Sequence, residues 1–219
     1  AAIISTLQSD ALLKASVFSD DPNFLVAGKI NVEDGSWTLW SSVVPRVTIE
    51  THQINATDIV IPTSDTIQNE EILESWFMSR KPLILCGPPG SGKTMTLSAT
   101  INRFPNFILA SLNFSSGATP ELIQKTLAQN CEVIRSPRDG GWVCRPMLSY
   151  GSHRWLVVFC DEINLPRADT YGTQKVISYL RQLIEHKGYW RKEDNTWDKL
   201  QRVQFVGACN PPSDVGRSE

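Results

Sequence analysis

Lys81-Pro82-Leu83-Ile84-Leu85-Cys86-Gly87-Pro88-Pro89-Gly90-Ser91-Gly92-Lys93-Thr94-Met95-Thr96-Leu97 is the stretch that decides how this chain folds. The apolar run 83–86 reads as a buried strand. It ends in an octapeptide, Gly87 to Thr94, that satisfies G-x-x-x-x-G-K-[ST], and the segment 95–103 that follows is helix-capable. A loop that wraps phosphates turns its backbone N–H groups inward and lets the ligand come close, so glycine suits positions 87, 90 and 92. The helix N-terminus adds positive potential. Lys93 is placed to neutralise the β- and γ-phosphates of a nucleotide, and the Thr94 hydroxyl to take one position on Mg²⁺, which prefers oxygen ligands. Gly87, Pro88, Pro89, Gly90, Ser91, Gly92, Lys93, Thr94 and Met95 are therefore the expected nucleotide contacts.

Three more short apolar runs, 107–112, 156–160 and 203–209, alternate with helical stretches at 120–129 and 173–187. Continuous β-branched and aromatic runs suit parallel strands buried on both faces, so a three-layer α/β sandwich is expected. Leu156-Val157-Val158-Phe159-Cys160-Asp161-Glu162 ends in two acids. Asp161 can hold Mg²⁺, and Glu162 can orient or deprotonate the water that attacks the γ-phosphate. The alternative is a strand that ends in solvent-facing acids. Val203–Cys209 ends at Asn210 before Pro211-Pro212, where an amide can meet the γ-phosphate or the attacking water, although Asn before Pro-Pro also forms turns. Asn113, at the end of another run, is held as a residue that restrains Glu162. For the adenine, Val60, Ile61, Pro62 and Thr63 form an extended stretch that can cover the base, or can be an ordinary edge strand.

At 219 residues, with 41% apolar and 20% charged content, the chain has room for one nucleotide-binding core with flanking structure. Residues 1–45 read as a flanking segment and 46–219 as the core. Trp37 and Trp40 read as packing a linker. A net charge of −2, with Lys and Arg dispersed, gives no blanket attraction to nucleic acid or anionic lipid. Neither is an expected partner. Cys86, Cys131, Cys144, Cys160 and Cys209 form no CxxC pair, which is the usage of a reducing cytosol with free thiols. No basic-then-apolar leader and no membrane-length apolar run occurs. Residues 131–144 read as a β-hairpin turning at Asp139-Gly140-Gly141, and the stretches around Tyr189-Trp190 and Trp197-Asp198 as a second hairpin. Their aromatic arms suit either contact with a neighbouring domain or local packing.

The phosphate-loop stretch, together with Leu112-Asn113-Phe114-Ser115-Ser116, Cys160-Asp161-Glu162-Ile163-Asn164-Leu165-Pro166 and Val206-Gly207-Ala208-Cys209-Asn210-Pro211-Pro212, resembles the dynein heavy-chain family of the cytoplasmic type, and specifically its third AAA+ module. The resemblance runs from about residue 37 to 217. It implies an AAA+ large subdomain with β-hairpin insertions. It also implies ATP or ADP with Mg²⁺, and a place in a ring that moves toward microtubule minus ends. In that family the third module hydrolyses ATP slowly and gates the cycle. Asn210 falls at the position called sensor 1. Neighbouring AAA+ modules of the same heavy chain, accessory chains, and microtubules reached through other parts of the chain are the implied partners, in the cytoplasm on the cytoskeleton. The chain is expected to stop before a fifth core strand and helical lid. A ring ATPase of the midasin type that remodels ribosome precursors, and a non-catalytic nucleotide-dependent switch, are the competing readings.

Overall fold

Apolar runs that are too short for helices and are bounded by glycine, proline and acids become the inner strands of a parallel sheet, where both faces must be covered. The structure, a computed structural model, describes residues 28–31, 35–45, 61–138, 140–151 and 153–211. The chain divides into two compact units, Ala1–Ile72 and Leu73–Glu219. The boundary expected at 45–46 borders residues 46–60, which lie outside the described ones.

In the first unit, β1 (Gly28–Ile30) pairs antiparallel with β2 (Trp37–Leu39), and a single helical turn, α1 (Trp40–Val43), follows. Trp40 is buried, with the Lys29 ammonium 5.2 Å from its ring centre, and Lys29 also pairs with Glu71. Trp40 serves packing within this unit. α2 (Ser64–Met78) is a helix that the sequence reading does not contain. It is opened by a reciprocal cap: the Thr66 N–H donates to Thr63 Oγ1 at 3.2 Å, and the Thr63 N–H to Thr66 Oγ1 at 2.7 Å.

The second unit holds β3 (Leu83–Cys86), α3 (Lys93–Asn102), β4 (Phe107–Asn113), α4 (Pro120–Asn130), β5 (Cys131–Arg135), β6 (Trp142–Pro146), β7 (Trp155–Asp161), α5 (Lys175–Glu185), β8 (Gly188–Trp190), β9 (Trp197–Leu200) and β10 (Val203–Cys209). Four of these strands form a parallel sheet in the order β3-β10-β7-β4. Alternate residues of β7 feed two cores. Leu156, Val158 and Cys160 join Ile123 and Leu127 of α4 and Leu180 and Leu183 of α5 on one face. Val157 and Phe159 join Leu97 and Ile101 of α3, with Leu73 and Phe77 of α2, on the other. The result is the three-layer α/β sandwich of a P-loop protein. No helix among the described residues is long and apolar enough to cross a membrane.

Both expected hairpins form, and they fuse. β5 pairs antiparallel with β6, β8 with β9, and β6 then pairs parallel with β9, Trp142 opposite Asp198, to give one sheet in the order β5-β6-β9-β8. Asp198 supplies the joint. Its carboxylate is fully buried and accepts from Arg191 Nη2 at 2.6 Å and Nε at 3.1 Å, while the guanidinium lies 5.0 Å from the Trp142 ring centre. Trp190 and Trp197 stack edge to face at 5.3 Å.

Removing one partner of a buried pair strands the other charge and costs ~3–5 kcal/mol. The Arg191 side chain keeps 24% exposure, so Asp198→Ala is expected to lower stability by less, about 2–3 kcal/mol. Urea unfolding of wild type and variant measures this, and an unchanged midpoint would refute the joint.

Candidate functional site

The parallel register brings three strand ends to one edge. Cys209 lies opposite Cys86, Gly207 opposite Cys160, and Asn113 opposite Asp161, so the phosphate loop, the acid pair and Asn210 emerge side by side. The loop closes through backbone bonds: the Gly87 N–H donates to Cys209 O at 3.2 Å, and the Ser91 N–H to Pro88 O at 3.2 Å. Gly90 and Gly92 have φ of 76° and 78°, a left-handed backbone that favours glycine, and Gly92 stands at the cap of α3. A Cβ on Gly87 would lie 2.9 Å from Ser91 Oγ. This is a cradle that side chains would fill.

Lys93 folds back over the cradle. Its Nζ donates to Gly87 O at 2.8 Å, Pro88 O at 3.0 Å and Asn210 Oδ1 at 2.9 Å. Asn210, itself buried, donates from Nδ2 to Glu162 Oε1 at 3.0 Å. The amide orientation follows from chemistry. An ammonium only donates and a carboxylate only accepts, so Oδ1 must face Lys93 and Nδ2 must face Glu162. One side chain thus links the phosphate-loop cation to the acid on the neighbouring strand.

Asp161 and Glu162 have separate surroundings. Asp161 Oδ2 faces the Thr94 hydroxyl at 3.5 Å, and Oδ1 accepts from the Glu162 N–H at 2.9 Å. Glu162 has φ of 54°, a left-handed conformation that costs a non-glycine residue energy and tends to occur at functional sites. That turn separates the two carboxylates, sending one toward Thr94 and the other toward Asn210. Thr94 Oγ and Asp161 form a hard-oxygen pair that suits Mg²⁺. Asn113 stands opposite Asp161 in the ladder, and Glu162 Oε1 accepts from Asn210 Nδ2.

Other expected residues are placed less directly. Met95 is exposed on the first turn of α3. Ile61, Pro62 and Thr63 belong to the first unit, where Thr63 caps α2, and Val60 lies outside the described residues. The link between Lys93 and Asn210 was not anticipated, nor was Asn164, whose Nδ2 donates to Asn210 O at 3.0 Å. The signal was present in Asp161-Glu162-Ile163-Asn164, a polar residue following an apolar one just past the acids.

All five cysteines are free. Cys86 is exposed under the loop, whereas burial pushes the Cys160 thiol up to about 12. Cys131 is likewise raised, first by its hydrogen bond with Cys144 and then by burial.

Residues 48–218 match the family described as P-loop containing dynein motor region. The chain is 54% identical over 188 residues to "Dynein heavy chain, cytoplasmic" of Dictyostelium discoideum, covering 86% of this chain and 4% of that one. It is 54% identical over 183 residues to the protein of the same name in Drosophila melanogaster, covering 84% and 4%. With the cytoplasmic dynein heavy chain of Caenorhabditis elegans it shares 48% over 215 residues, covering 96% and 5%. The chain thus spans about a twentieth of the curated relatives it matches.

Because the thiolate is the reactive form, a thiol raised to about 12 stays protonated and inert at neutral pH, and burial also bars the reagent. In the native protein, maleimide is expected to label Cys86 first and to reach Cys160 only after denaturation. Peptide mapping by mass spectrometry checks the order, and early labelling of Cys160 would contradict the buried strand.

Proposed function

The chain belongs to the dynein motor-region family of P-loop proteins, and from that premise we propose that it is a working ATPase module of a microtubule motor. The observation that carries this reading is the Asn210 amide, which spans the Lys93 ammonium and the Glu162 carboxylate at 2.9 and 3.0 Å. A site that only stores nucleotide needs the cation and the loop, but not a carboxylate held in register with them.

The substrate is ATP. Its phosphates lie against the N–H groups of Gly87 to Thr94, with Lys93 leaving the loop carbonyls for the β- and γ-phosphates. Met95 borders the phosphates. Thr94 and Asp161 would hold Mg²⁺, which would supply neutralisation of charge on the phosphates. Glu162 takes a proton from a water whose oxygen attacks the γ-phosphorus as the bond to the β-bridging oxygen breaks. Asn210, freed from Lys93, turns its amide to the water or the γ-phosphate.

Likeness to cytoplasmic dynein heavy chains supports a setting for this chemistry. The chain acts as the third module of a ring, beside other AAA+ modules of the same heavy chain. It gates minus-end-directed movement in the cytoplasm along microtubules, which other parts of the heavy chain grip, with accessory chains attached.

Lys93→Ala removes the cation the cradle is built around, and is expected to weaken ATP binding at this site at least tenfold, read by calorimetry on the full heavy chain. Unchanged binding would refute the loop assignment. Glu162→Gln keeps the shape and the Asn210 contact but removes the base, so ATP should stay bound and uncleaved, with hydrolysis here down roughly 100-fold or more. Single-turnover assays with the other phosphate loops disabled measure this. Normal cleavage would sink the catalytic role, and wild-type stepping speed in the otherwise intact motor would sink the gating role.

A further inference from the structure

Asn164 has no part in the chemistry above, yet it is bonded to the residue on which that chemistry turns. Its Nδ2 donates to the main-chain oxygen of Asn210 at 3.0 Å. Its Oδ1 is buried with no hydrogen-bond partner. A sealed, unpartnered acceptor costs stability, and an apolar residue of the same shape would avoid the cost. The donor half of the side chain is therefore what keeps an asparagine here.

The need for that donor follows from where Asn210 lies. Sheet pairing between β10 and β3 ends at Cys209 opposite Cys86, one residue short of Asn210, and the next residue is Pro211, which has no N–H. The ladder leaves the Asn210 backbone without a clamp just where its amide must meet two partners. The turn after β7 supplies one. The Ile163 N–H donates to Ala208 O at 2.9 Å, and a Cβ on Gly207 would lie 3.1 Å from Ile163 Cδ1, so that side chain packs closely over the glycine. Asn164 adds the last tie, directly on Asn210.

We propose that Asn164 is a positioning residue that fixes the main chain of Asn210, and so aims its amide at Lys93 and Glu162 together. This rests on the hydrolytic reading of the site. The Glu162 carboxylate just past β7 and the Asn210 amide just past β10 are then set relative to one another by this hydrogen bond together with that of Ile163 to Ala208. Loss of that bond misaligns the water-activating pair while leaving the phosphate cradle intact.

The test uses the full heavy chain with the other phosphate loops disabled. Asn164→Asp removes the donor and sets a charge against the Asn210 carbonyl. Asn164→Leu removes the donor and the unpartnered acceptor together. Both should lower kcat at this site roughly 10- to 100-fold, the usual consequence of a displaced reacting group, while the Kd for ADP stays within about twofold. The thermal midpoint of Asn164→Leu should shift little, because loss of the unpartnered Asn164 oxygen offsets the Asn210 oxygen left without its donor. Wild-type kcat in both variants would overturn the proposal. So would a joint fall of kcat, ADP affinity and thermal midpoint, which would mark a purely structural residue. If the wild-type site itself fails to cleave ATP, the hydrolytic reading falls and takes this inference with it. If cleavage stops with Glu162→Gln but ignores Asn164, this inference alone fails.

Discussion

A buried carboxamide held between an ammonium and a carboxylate ties the upper edge of this sheet together. Neither neighbour of Asn210 can replace it: a carboxylate there would repel Glu162, and a hydrocarbon would leave both partners with one contact fewer. The bridge exists only because β10 runs between β3 and β7, so that the strand after the phosphate-loop strand in space is the last one in sequence among the described residues. The long excursion through β4, the two hairpins and α5 is, in this sense, what brings Asn210 to its place. The two cores on either face hold the strand ends in fixed register.

The same bridge shapes how a nucleotide can bind. Lys93 is already solvated by two loop carbonyls and the Asn210 oxygen, so its charge is not waiting bare for a phosphate. Binding is an exchange of three neutral acceptors for charged ones, and its gain is the difference between the two sets. The exchange has a second effect. When the ammonium leaves, the amide loses the partner that fixed its Oδ1, and its hold on Glu162 loosens. On the proposed reading, occupancy at the loop would reach the acid through one side chain.

Much of this was legible in the sequence. The four core strands, the cradle and the two acids declare themselves because each is a local pattern: a short apolar run, glycines where the backbone must turn, a charge at a strand end. Both hairpins were readable for the same reason. Their fusion was not, because the parallel pairing of Trp142 with Asp198 depends on a contact between segments distant in the chain. α2 escaped notice because its cap is a Thr63–Thr66 pair rather than the commoner Thr–Glu form, and its buried stripe is sparse, with Glu70, Leu73 and Phe77 the buried positions. Asn164 stands beside the acids without declaring its role. Nothing local distinguishes an asparagine that binds a backbone oxygen on another strand from one that ends a turn.

The joined hairpins also carry information about the order in which the molecule is made. Each hairpin closes a short loop and can form early, but the β6–β9 pairing joins segments on opposite sides of β7 and α5 in the chain. Closing a long loop pays its entropy before any contact rewards it. The β6–β9 pairing is therefore expected to follow the closure of either hairpin. Burial of the Arg191–Asp198 pair against Trp142 becomes a sign that the two hairpins have joined. A chain interrupted before that point would display two separate aromatic arms, each a surface that other molecules could engage.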